Sequence, residues 1–114
     1  SIEYRPSLAA RARKILAHLG IPNVTVLDGD GSDGAPVFSP YDAIVVAAGA
    51  PAVPPDLISQ LSKRGKMVVP VGTTHLQHLT FLRRSGQSVN EEVRESCVFV
   101  PLVGRQGWRH SGGK

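Results

Sequence analysis

The chain has 114 residues, of which 41% are hydrophobic and 19% are charged, so it is long enough for one globular domain and too apolar to be disordered. Its formal net charge of +4 is spread along the sequence, with the densest basic clusters at residues 11–14 and 105–114, which we interpret as a helix face and a tail. We expect neither nucleic acid nor a membrane as partner, since no nucleic-acid motif, no signal peptide and no apolar run of roughly 20 residues is present.

The first part of the chain predicts the end of a strand, a helix and a second strand. Ile2 and Glu3 resemble a strand end, and Pro6 suits the first turn of a helix because its missing N–H is not needed there. Gly20 supplies the helix stop, and residues 24–27 have the β-branched character of a short strand. The helix carries an apolar stripe at helical spacing, formed by Leu8, Ala12, Ile15, Leu16 and Leu19.

The middle of the chain repeats this alternation. After a loop rich in glycine and aspartate at residues 28–34, residues 43–47 form a fully apolar segment, which is typical of a strand covered on both faces. Residues 56–64 predict a short helix ended by Gly65, and residues 66–71 predict another apolar strand.

The last part of the chain changes pattern. Residues 76–84 and 93–100 predict two strands around a turn at residues 85–87, which form an antiparallel pair. Because strands and helices alternate before this point, we expect an α/β fold with a doubly wound, mostly parallel sheet.

Ligands of such sheets bind beyond the carboxyl ends of the strands. Three segments follow predicted strands, namely Glu3 with Tyr4, residues 28–32 and residues 48–51. We expect all three to lie on one rim of the sheet.

Glu3 and Asp30 are the candidate ligand-binding acids on this rim. A carboxylate at the end of a strand, where Glu3 lies, can accept two hydrogen bonds from a ribose diol. The alternative is a solvated loop acid or a favourable charge near a helix N-terminus. Asp30 lies between Gly29 and Gly31, where the backbone can approach a ligand closely and the carboxylate can accept a hydrogen bond from an exocyclic amine.

An ordinary turn and a calcium loop are the alternatives for this aspartate-rich segment. Counted from Asp28, the sixth and twelfth positions hold Asp33 and Ser39, whereas an EF-hand requires glycine and glutamate there. We therefore expect no metal site in this loop.

The remaining reactive side chains predict no catalytic centre. His75 and His78 are three residues apart on a predicted strand and point to opposite faces, without a neighbouring acid or cysteine to complete a zinc site. The single cysteine, Cys97, lies in an apolar strand and is interpreted as a small core residue. One thiol excludes an internal disulfide and suits a reducing compartment, so we expect a cytoplasmic protein.

Five stretches of the chain form an ordered pattern of motifs. They are Ile2-Glu3-Tyr4 with the helix start at residues 6–9, the loop Gly29-Asp30-Gly31-Ser32, residues 41–51 (YDAIVVAAGAP), residues 61–72 ending in Pro-Val-Gly, and residues 99–103 (FVPLV). In this order, they resemble the protein-L-isoaspartate (D-aspartate) O-methyltransferase family over nearly the whole chain. One departure within these motifs is at Gly65, where the family usually has two glycines.

The resemblance implies the Rossmann-like fold of the class I methyltransferases that depend on S-adenosyl-L-methionine (SAM). The implied reaction is methyl transfer from SAM to the α-carboxyl of L-isoaspartyl residues in damaged proteins and peptides, which is a protein-repair activity. Glu3 matches the ribose-binding acid, with Tyr4 beside it at the cofactor. Asp30 matches the acceptor of the adenine amine, and Gly31 matches a backbone contact to the adenine ring. Val103 matches a position near the substrate, but is apolar where some relatives carry a hydroxyl residue.

Two parts of the family pattern are not found in these residues: the first strand with its G-x-G-x-G loop, and a serine-bearing substrate loop linked to catalysis. We therefore expect residues 1–108 to be the C-terminal part of a methyltransferase domain, inactive alone and without a catalytic residue, followed by a flexible tail at 109–114. The absent strand belongs between the strand ending at Glu3 and the strand at 43–47. Open edges there predict instability or self-association.

Two alternative functions fit the same residues. The first is another class I SAM-dependent methyltransferase that acts on a different peptide or a small molecule. The second is a binding module that keeps the fold without the reaction. The methyl acceptor separates the first alternative from the isoaspartyl enzyme, and SAM binding without turnover distinguishes the second.

Overall fold

The computed structural model describes residues 1–109, so the tail predicted at 109–114 lies outside the described residues apart from Arg109. The strands form two sheets, a parallel pair β1-β2 and a four-stranded sheet in the order β3-β4-β5-β6. In the larger sheet β3 and β4 are parallel, whereas β4, β5 and β6 are antiparallel. The α/β prediction is confirmed, with mixed pairing. The elements are β1 (Ile2–Glu3), α1 (Pro6–His18), β2 (Leu27–Asp28), β3 (Tyr41–Val45), α2 (Pro55–Ser59), β4 (Leu61–Gly72), β5 (Gln77–Ser85) and β6 (Ser88–Cys97).

Helix α1 follows the predicted pattern at both ends. Pro6 occupies its first turn, and Gly20 lies just beyond its end with a φ of 67°, a conformation that favours glycine. The Arg13 guanidinium ties the helix to the segment before β2, donating from Nη2 to the Val26 carbonyl over 2.8 Å. Ala9 is the buried residue of the helix, whereas Leu8 and Ile15 on the predicted apolar stripe are about half exposed. Among residues 1–109, no helix is both long and apolar enough to cross a bilayer.

The hydrophobic core lies on one face of the four-stranded sheet. Helix α2 covers this face, and the buried side chains come from α2, β4, β5 and the loop before α2. They are Ala50, Leu57, Leu61, Met67, Val69 and Leu82. The opposite face carries a row of paired residues, Val45, Val68 and Phe81, of which Val45 is 75% exposed. A parallel strand normally has both faces covered, so this face is unusually open.

The second helix is shorter than predicted, and the prediction of a helix over residues 56–64 is wrong. Helix α2 ends at Ser59, and Leu61 already belongs to β4. The register between β3 and β4 shifts after Tyr41, so residues 61–65 form an irregular strand start. Gly65 is packed there, because an added Cβ would lie 2.9 Å from the Tyr41 carbonyl oxygen. Pairing with β3 therefore overrides the local helical pattern.

Each of the other predicted strands overlaps an observed one, but the strand predicted at 24–27 shares only Leu27 with β2. The strand predicted at 24–27 is observed at Leu27–Asp28, and the strand predicted at 43–47 is observed at Tyr41–Val45. The hairpin is confirmed as antiparallel, with Ser85 paired to Ser88 and a tight turn at residues 86–87. Gly86 has a φ of 61° in that turn, which suits the left-handed conformation that a two-residue hairpin requires.

Candidate functional site

A cleft of about 1160 Å³ separates the two sheets. Strand β1 forms one wall and β3 forms the other; among the described residues each of these strands pairs on one side only, so both have a free edge. Residues from all three segments predicted to share a rim line this cleft, namely Glu3 and Tyr4, Gly31, and Ala48. Val103 from the C-terminal segment lines it as well.

Glu3 stands at the end of β1, where the chain turns into the loop before α1. The Glu3 carbonyl accepts a hydrogen bond from the Gly29 N–H over 3.0 Å, which fastens the glycine-rich loop to this strand end. Its carboxylate oxygen Oε2 accepts the Tyr4 N–H over 2.8 Å. A carboxylate offers about four acceptor positions. Glu3 therefore keeps the capacity to accept a hydrogen bond from a ribose diol, and the site fits such a group.

Asp30 caps the short 3₁₀ turn Gly31–Asp33. Its Oδ1 accepts hydrogen bonds from the Ser32 N–H over 2.9 Å and from the Ser32 hydroxyl over 2.6 Å. Its Oδ2 accepts the Arg105 N–H over 2.7 Å. Partial burial raises the pKa of Asp30, but the hydrogen bonds from Arg105 and Ser32 and the charge of Arg105 outweigh that effect and hold the pKa below its usual value. Asp30 is thus ionised at neutral pH.

Asp30 and Gly31 are adjacent in sequence but differ in their position relative to the cleft. Gly31 is part of the cleft wall, whereas the Asp30 carboxylate is engaged with the C-terminal segment. Each carboxylate oxygen has two lone pairs. Oδ2 of Asp30 therefore keeps one acceptor position for a ligand amine, next to the cleft wall that Gly31 forms.

The C-terminal segment folds over this rim as a compact loop. The Leu102 N–H donates to the Gly49 carbonyl over 2.8 Å, and the Trp108 indole N–H donates to the same oxygen over 3.1 Å. The Trp108 backbone N–H donates in turn to the Leu102 carbonyl over 2.7 Å, which closes the loop. This closure holds Val103 at the cleft, between Leu102 and the turn.

Four polar residues that sequence reasoning did not single out organise this rim. Ser32 is fully buried, and its hydroxyl accepts the Gln106 N–H over 3.0 Å. Buried Gln60 accepts the Ala35 N–H and donates to the Asp33 carbonyl, each over 2.9 Å. The remaining two are Arg105 and Gln106. A weak sequence signal existed only for Ser32, which follows the Gly-Asp-Gly motif directly.

Arg105 corrects the interpretation of the C-terminal basic cluster. The sequence placed it at the start of a tail, but its guanidinium Nη2 contacts Asp33 Oδ1 over 2.7 Å and Asp56 Oδ2 over 3.3 Å. A single cation therefore bridges the loop after β2 and the start of α2. Spacing along the chain carried no sign of this contact, because Arg105 is 72 residues from Asp33.

The other candidate residues lie apart from the cleft. His75 and His78 are exposed, beside and within β5. Cys97 is half-buried at the end of β6, so its interpretation as a core residue is wrong, because β6 is an edge strand. No group of three or more His, Cys, Asp or Glu side chains in residues 1–109 is placed to hold a metal ion.

The fold and the rim together define a class of protein. An acid at the end of one parallel strand and a glycine-rich turn at the end of the next form the ligand-binding rim of nucleotide-binding α/β folds. The family model for protein-L-isoaspartate(D-aspartate) O-methyltransferase matches residues 1–107. The chain belongs to this family.

Curated relatives carry the same description. The protein-L-isoaspartate O-methyltransferase of Methanoregula boonei is 44% identical over 110 residues, which cover 96% of this chain and 51% of the relative. That of Pyrococcus horikoshii is 45% identical over 111 residues, which cover 96% and 50%. Protein-L-isoaspartate O-methyltransferase 2 of Pelobacter propionicus is 50% identical over 111 residues, which cover 95% and 49%. The chain spans about half the length of the curated relatives it matches.

Solved structures agree with the fold. A protein-L-isoaspartate O-methyltransferase superimposes with a TM-score of 0.86 at 30% identity, covering 94% of this chain and 34% of that one. A putative protein-L-isoaspartate O-methyltransferase from Plasmodium falciparum, solved with S-adenosyl-L-homocysteine, superimposes with a TM-score of 0.75 at 20% identity. It covers 90% of this chain and 50% of that chain, and at this identity it supports the fold alone.

Proposed function

We propose that this chain is part of a protein-L-isoaspartate O-methyltransferase that transfers a methyl group from SAM to the α-carboxyl of L-isoaspartyl residues in damaged proteins. The observation that supports this most is that Glu3, Tyr4, Gly31 and Val103, which the family resemblance assigns to cofactor and substrate, line one cleft. The match of the family model over residues 1–107 supports the same reaction.

The residues of this chain divide the binding work between two walls. Glu3 binds the ribose hydroxyls through its carboxylate, and Tyr4 covers the cofactor beside it. Asp30 accepts the adenine amine at Oδ2, and Gly31 contacts the adenine ring through its backbone. On the opposite side, Val103 provides an apolar surface next to the substrate. When bound, SAM supplies the methyl group, and the chain's own residues orient the cofactor and exclude water.

Val103 has no hydrogen-bonding side chain, so only its backbone could contact the isoaspartyl carboxylate by a hydrogen bond. A catalytic hydroxyl or a positive charge for that carboxylate comes from a part of the protein beyond these 114 residues. We therefore propose that this chain has no methyltransferase activity alone. The half-length match to the curated relatives supports this proposal.

The open edges of β1 and β3 have a second consequence for the proposed partners. Backbone N–H and C=O groups on both edges lack a strand partner among residues 1–109. In the complete protein, we propose that a further strand occupies the part of the cleft between these two edges and leaves its rim, where Glu3, Gly31 and Val103 lie, to the ligands. We propose that the isolated chain instead self-associates through these edges. Isoaspartyl proteins and peptides are the proposed substrates, in the cytoplasm, where the single free thiol of Cys97 stays reduced.

The test compares two proteins. One is this chain, and the other is the completed protein, in which the N-terminal half of the Pyrococcus horikoshii relative is joined before Ser1. Each is incubated with radiolabelled SAM and an isoaspartyl peptide, with the matching aspartyl peptide as control. We expect methyl transfer by the completed protein alone, and to the isoaspartyl peptide alone.

Three other results would change the conclusion. If the completed protein binds SAM but methylates neither peptide, the isoaspartyl substrate is wrong. Methylation of both peptides at similar rates would indicate a methyltransferase of different specificity on the same fold. Turnover by the chain alone would contradict the proposal that it is inactive.

A further inference from the structure

Gln106 connects three segments that are far apart in sequence. Its backbone N–H donates to the Ser32 hydroxyl oxygen over 3.0 Å, within the turn after β2. Its side-chain Nε2 donates to Asp33 Oδ1 over 3.2 Å and to Asp56 Oδ2 over 2.6 Å. Its Oε1 accepts the Asp56 N–H over 3.1 Å at the start of α2. The backbone N–H and both side-chain polar atoms of this half-buried residue are thus in use.

Arg105 completes the same cluster from the exposed side. Its backbone N–H donates to Asp30 Oδ2, and its guanidinium contacts both Asp33 and Asp56. The carboxylates of Asp33 and Asp56 would repel each other without the Arg105 guanidinium and the side-chain amide that they share. The guanidinium is largely exposed, so solvent and salt screen its contribution.

The backbone before this cluster lies against the glycine-rich loop without space between them. A Cβ added to Gly104 would lie 1.9 Å from Asp30 Oδ1 and 2.6 Å from the Ser32 hydroxyl oxygen. The segment therefore makes van der Waals contact with the loop, in addition to the hydrogen bonds. Close packing of this kind transmits a small displacement of one side directly to the other.

Both sides of this contact belong to the walls of the cleft. Gly31, next to Asp30, lines it from the loop after β2, and Val103, next to Gly104, lines it from the C-terminal segment. The spacing between these two walls is fixed by whatever joins residues 30–33 to residues 104–106. In the described part of the chain, that junction consists of the packing of Gly104 and the hydrogen bonds of Arg105 and Gln106.

We propose that Gln106, assisted by Arg105, is a positioning residue that holds the Asp30–Gly31 wall against the Val103 wall and so sets the geometry of the cofactor cleft. This inference rests on the proposed function, because it assigns the two walls to the cofactor and substrate. Gln106 itself touches neither ligand in this role. Its loss changes where Gly31 and Asp30 lie, and therefore how tightly the cofactor binds.

The experiment uses the completed protein and measures two quantities. The first is the Kd for S-adenosyl-L-homocysteine by calorimetry, and the second is the pair KM for SAM and kcat with the isoaspartyl peptide. For Gln106→Ala we expect Kd and KM to rise about tenfold, since hydrogen bonds to charged groups are lost, with kcat within about twofold of the parent. Gln87→Ala, in the exposed hairpin turn, is the matched control and leaves both quantities unchanged.

Two further variants separate positioning from folding. Gln106→Glu conserves size but places a third carboxylate against Asp33 and Asp56, so it raises Kd more than Gln106→Ala does. Arg105→Ala alters a largely exposed side chain, so we expect a smaller effect on stability than for Gln106→Ala. We expect Kd to rise about threefold, and this effect to fade at about 0.5 M salt.

The outcomes distinguish this inference from the proposed function. A lower melting temperature with unchanged Kd and KM for both the Gln106 and Arg105 variants would assign these residues to stability alone and overturn the inference. If the parent binds S-adenosyl-L-homocysteine but methylates no isoaspartyl peptide, the proposed function is wrong. The Kd of each variant relative to that of the parent then still tests the positioning role of Gln106. If the parent does not bind the cofactor product, both are overturned.

Discussion

At the residue scale, the rim is organised by a few polar side chains whose hydrogen bonds are satisfied inside the protein. Ser32, Gln60 and Gln77 are buried, and none of the described residues has a buried side-chain nitrogen or oxygen without a partner. Burying a polar group costs free energy unless it forms hydrogen bonds. The hydrogen bonds of these three side chains therefore constrain the backbone around them. Gly34 illustrates the consequence, since a Cβ there would lie 2.2 Å from Gln60 Oε1.

Asp30 gives the first prediction, on pH dependence. Its folded pKa lies below the ordinary value of 3.8, because hydrogen bonds and the charge of Arg105 stabilise the carboxylate against the opposing effect of burial. A depressed pKa contributes stability that is present above the unfolded value and is lost as the pH falls through the folded value. We therefore expect this part of the stability to be complete at neutral pH and to disappear as the pH falls below 3.8.

The variant Asp30→Asn tests this in the completed protein by thermal melting from neutral to strongly acidic pH. The side chain of asparagine keeps one acceptor oxygen, but its NH2 group would face a hydrogen-bond donor. We therefore expect a lower melting temperature at neutral pH and a smaller fall of the melting temperature on acidification. The groups facing Asp30 are Ser32, Arg105 and, behind Arg105, Asp33. Asp42→Asn, on the exposed surface of β3, is the control. Identical acid profiles for the parent and Asp30→Asn would contradict the assignment.

At the element scale, β4 shows how pairing decides secondary structure. The segment before Gly65 has the apolar spacing of a helix, yet it pairs with Tyr41 on one side, and Lys63 accepts a hydrogen bond from the hairpin turn at Gly86 on the other. Each of these contacts comes from a residue distant in sequence. The local sequence pattern therefore could not predict that residues 61–64 belong to strand β4.

The variant Gly65→Ala provides the second prediction, at this scale. A Cβ at Gly65 would lie 2.9 Å from the Tyr41 carbonyl oxygen and 3.0 Å from both the Ser62 nitrogen and a Leu61 methyl group. The irregular start of β4 at residues 61–65 must therefore shift to accept it. We expect a loss of roughly 1–3 kcal/mol in the free energy of unfolding of the completed protein, as for other overpacked sites. Chemical denaturation measures it.

Gly29→Ala is the matched control for this prediction. No atom lies within 4 Å of a Cβ built at Gly29, and its φ is not in the left-handed region. We expect a change of less than about 0.5 kcal/mol there, as for other surface positions. Equal losses for the two variants would mean that Gly65 is not confined as the structure indicates.

At the scale of the whole molecule, the two sheets are held together by few contacts apart from the loops of the rim. Strand β1 and helix α1 pack on each other and on β2, whereas the core lies entirely around β3, β4, β5 and α2. Apolar side chains remain exposed on both parts, Leu19 at 63% on one and Val45 at 75% on the other. Exposed apolar surface of this kind favours association.

The third prediction concerns the assembly of the isolated chain. Because β1 and β3 have open edges and Val45 faces solvent, we expect the chain alone to sediment as dimers or larger species at micromolar concentration, whereas the completed protein shows a smaller tendency. Val45→Lys, which adds charge beside the open edge, should weaken this association about tenfold. Analytical ultracentrifugation over a concentration series provides the measurement. A cooperative unfolding transition of a monomeric isolated chain would contradict the expectation.

Local periodicity and motifs contiguous in the chain were enough to predict the α/β class, helix α1 with its glycine stop, the hairpin and the family. The same local patterns identified Glu3, Asp30 and Gly31 as rim residues through their position after strands. Only the tertiary structure decided the end of α2, the burial of Ser32 and the joining of Arg105 and Gln106 to Asp33 and Asp56. These features depend on contacts between residues up to 75 positions apart, and hydrogen bonds of that range leave no periodic trace in the sequence.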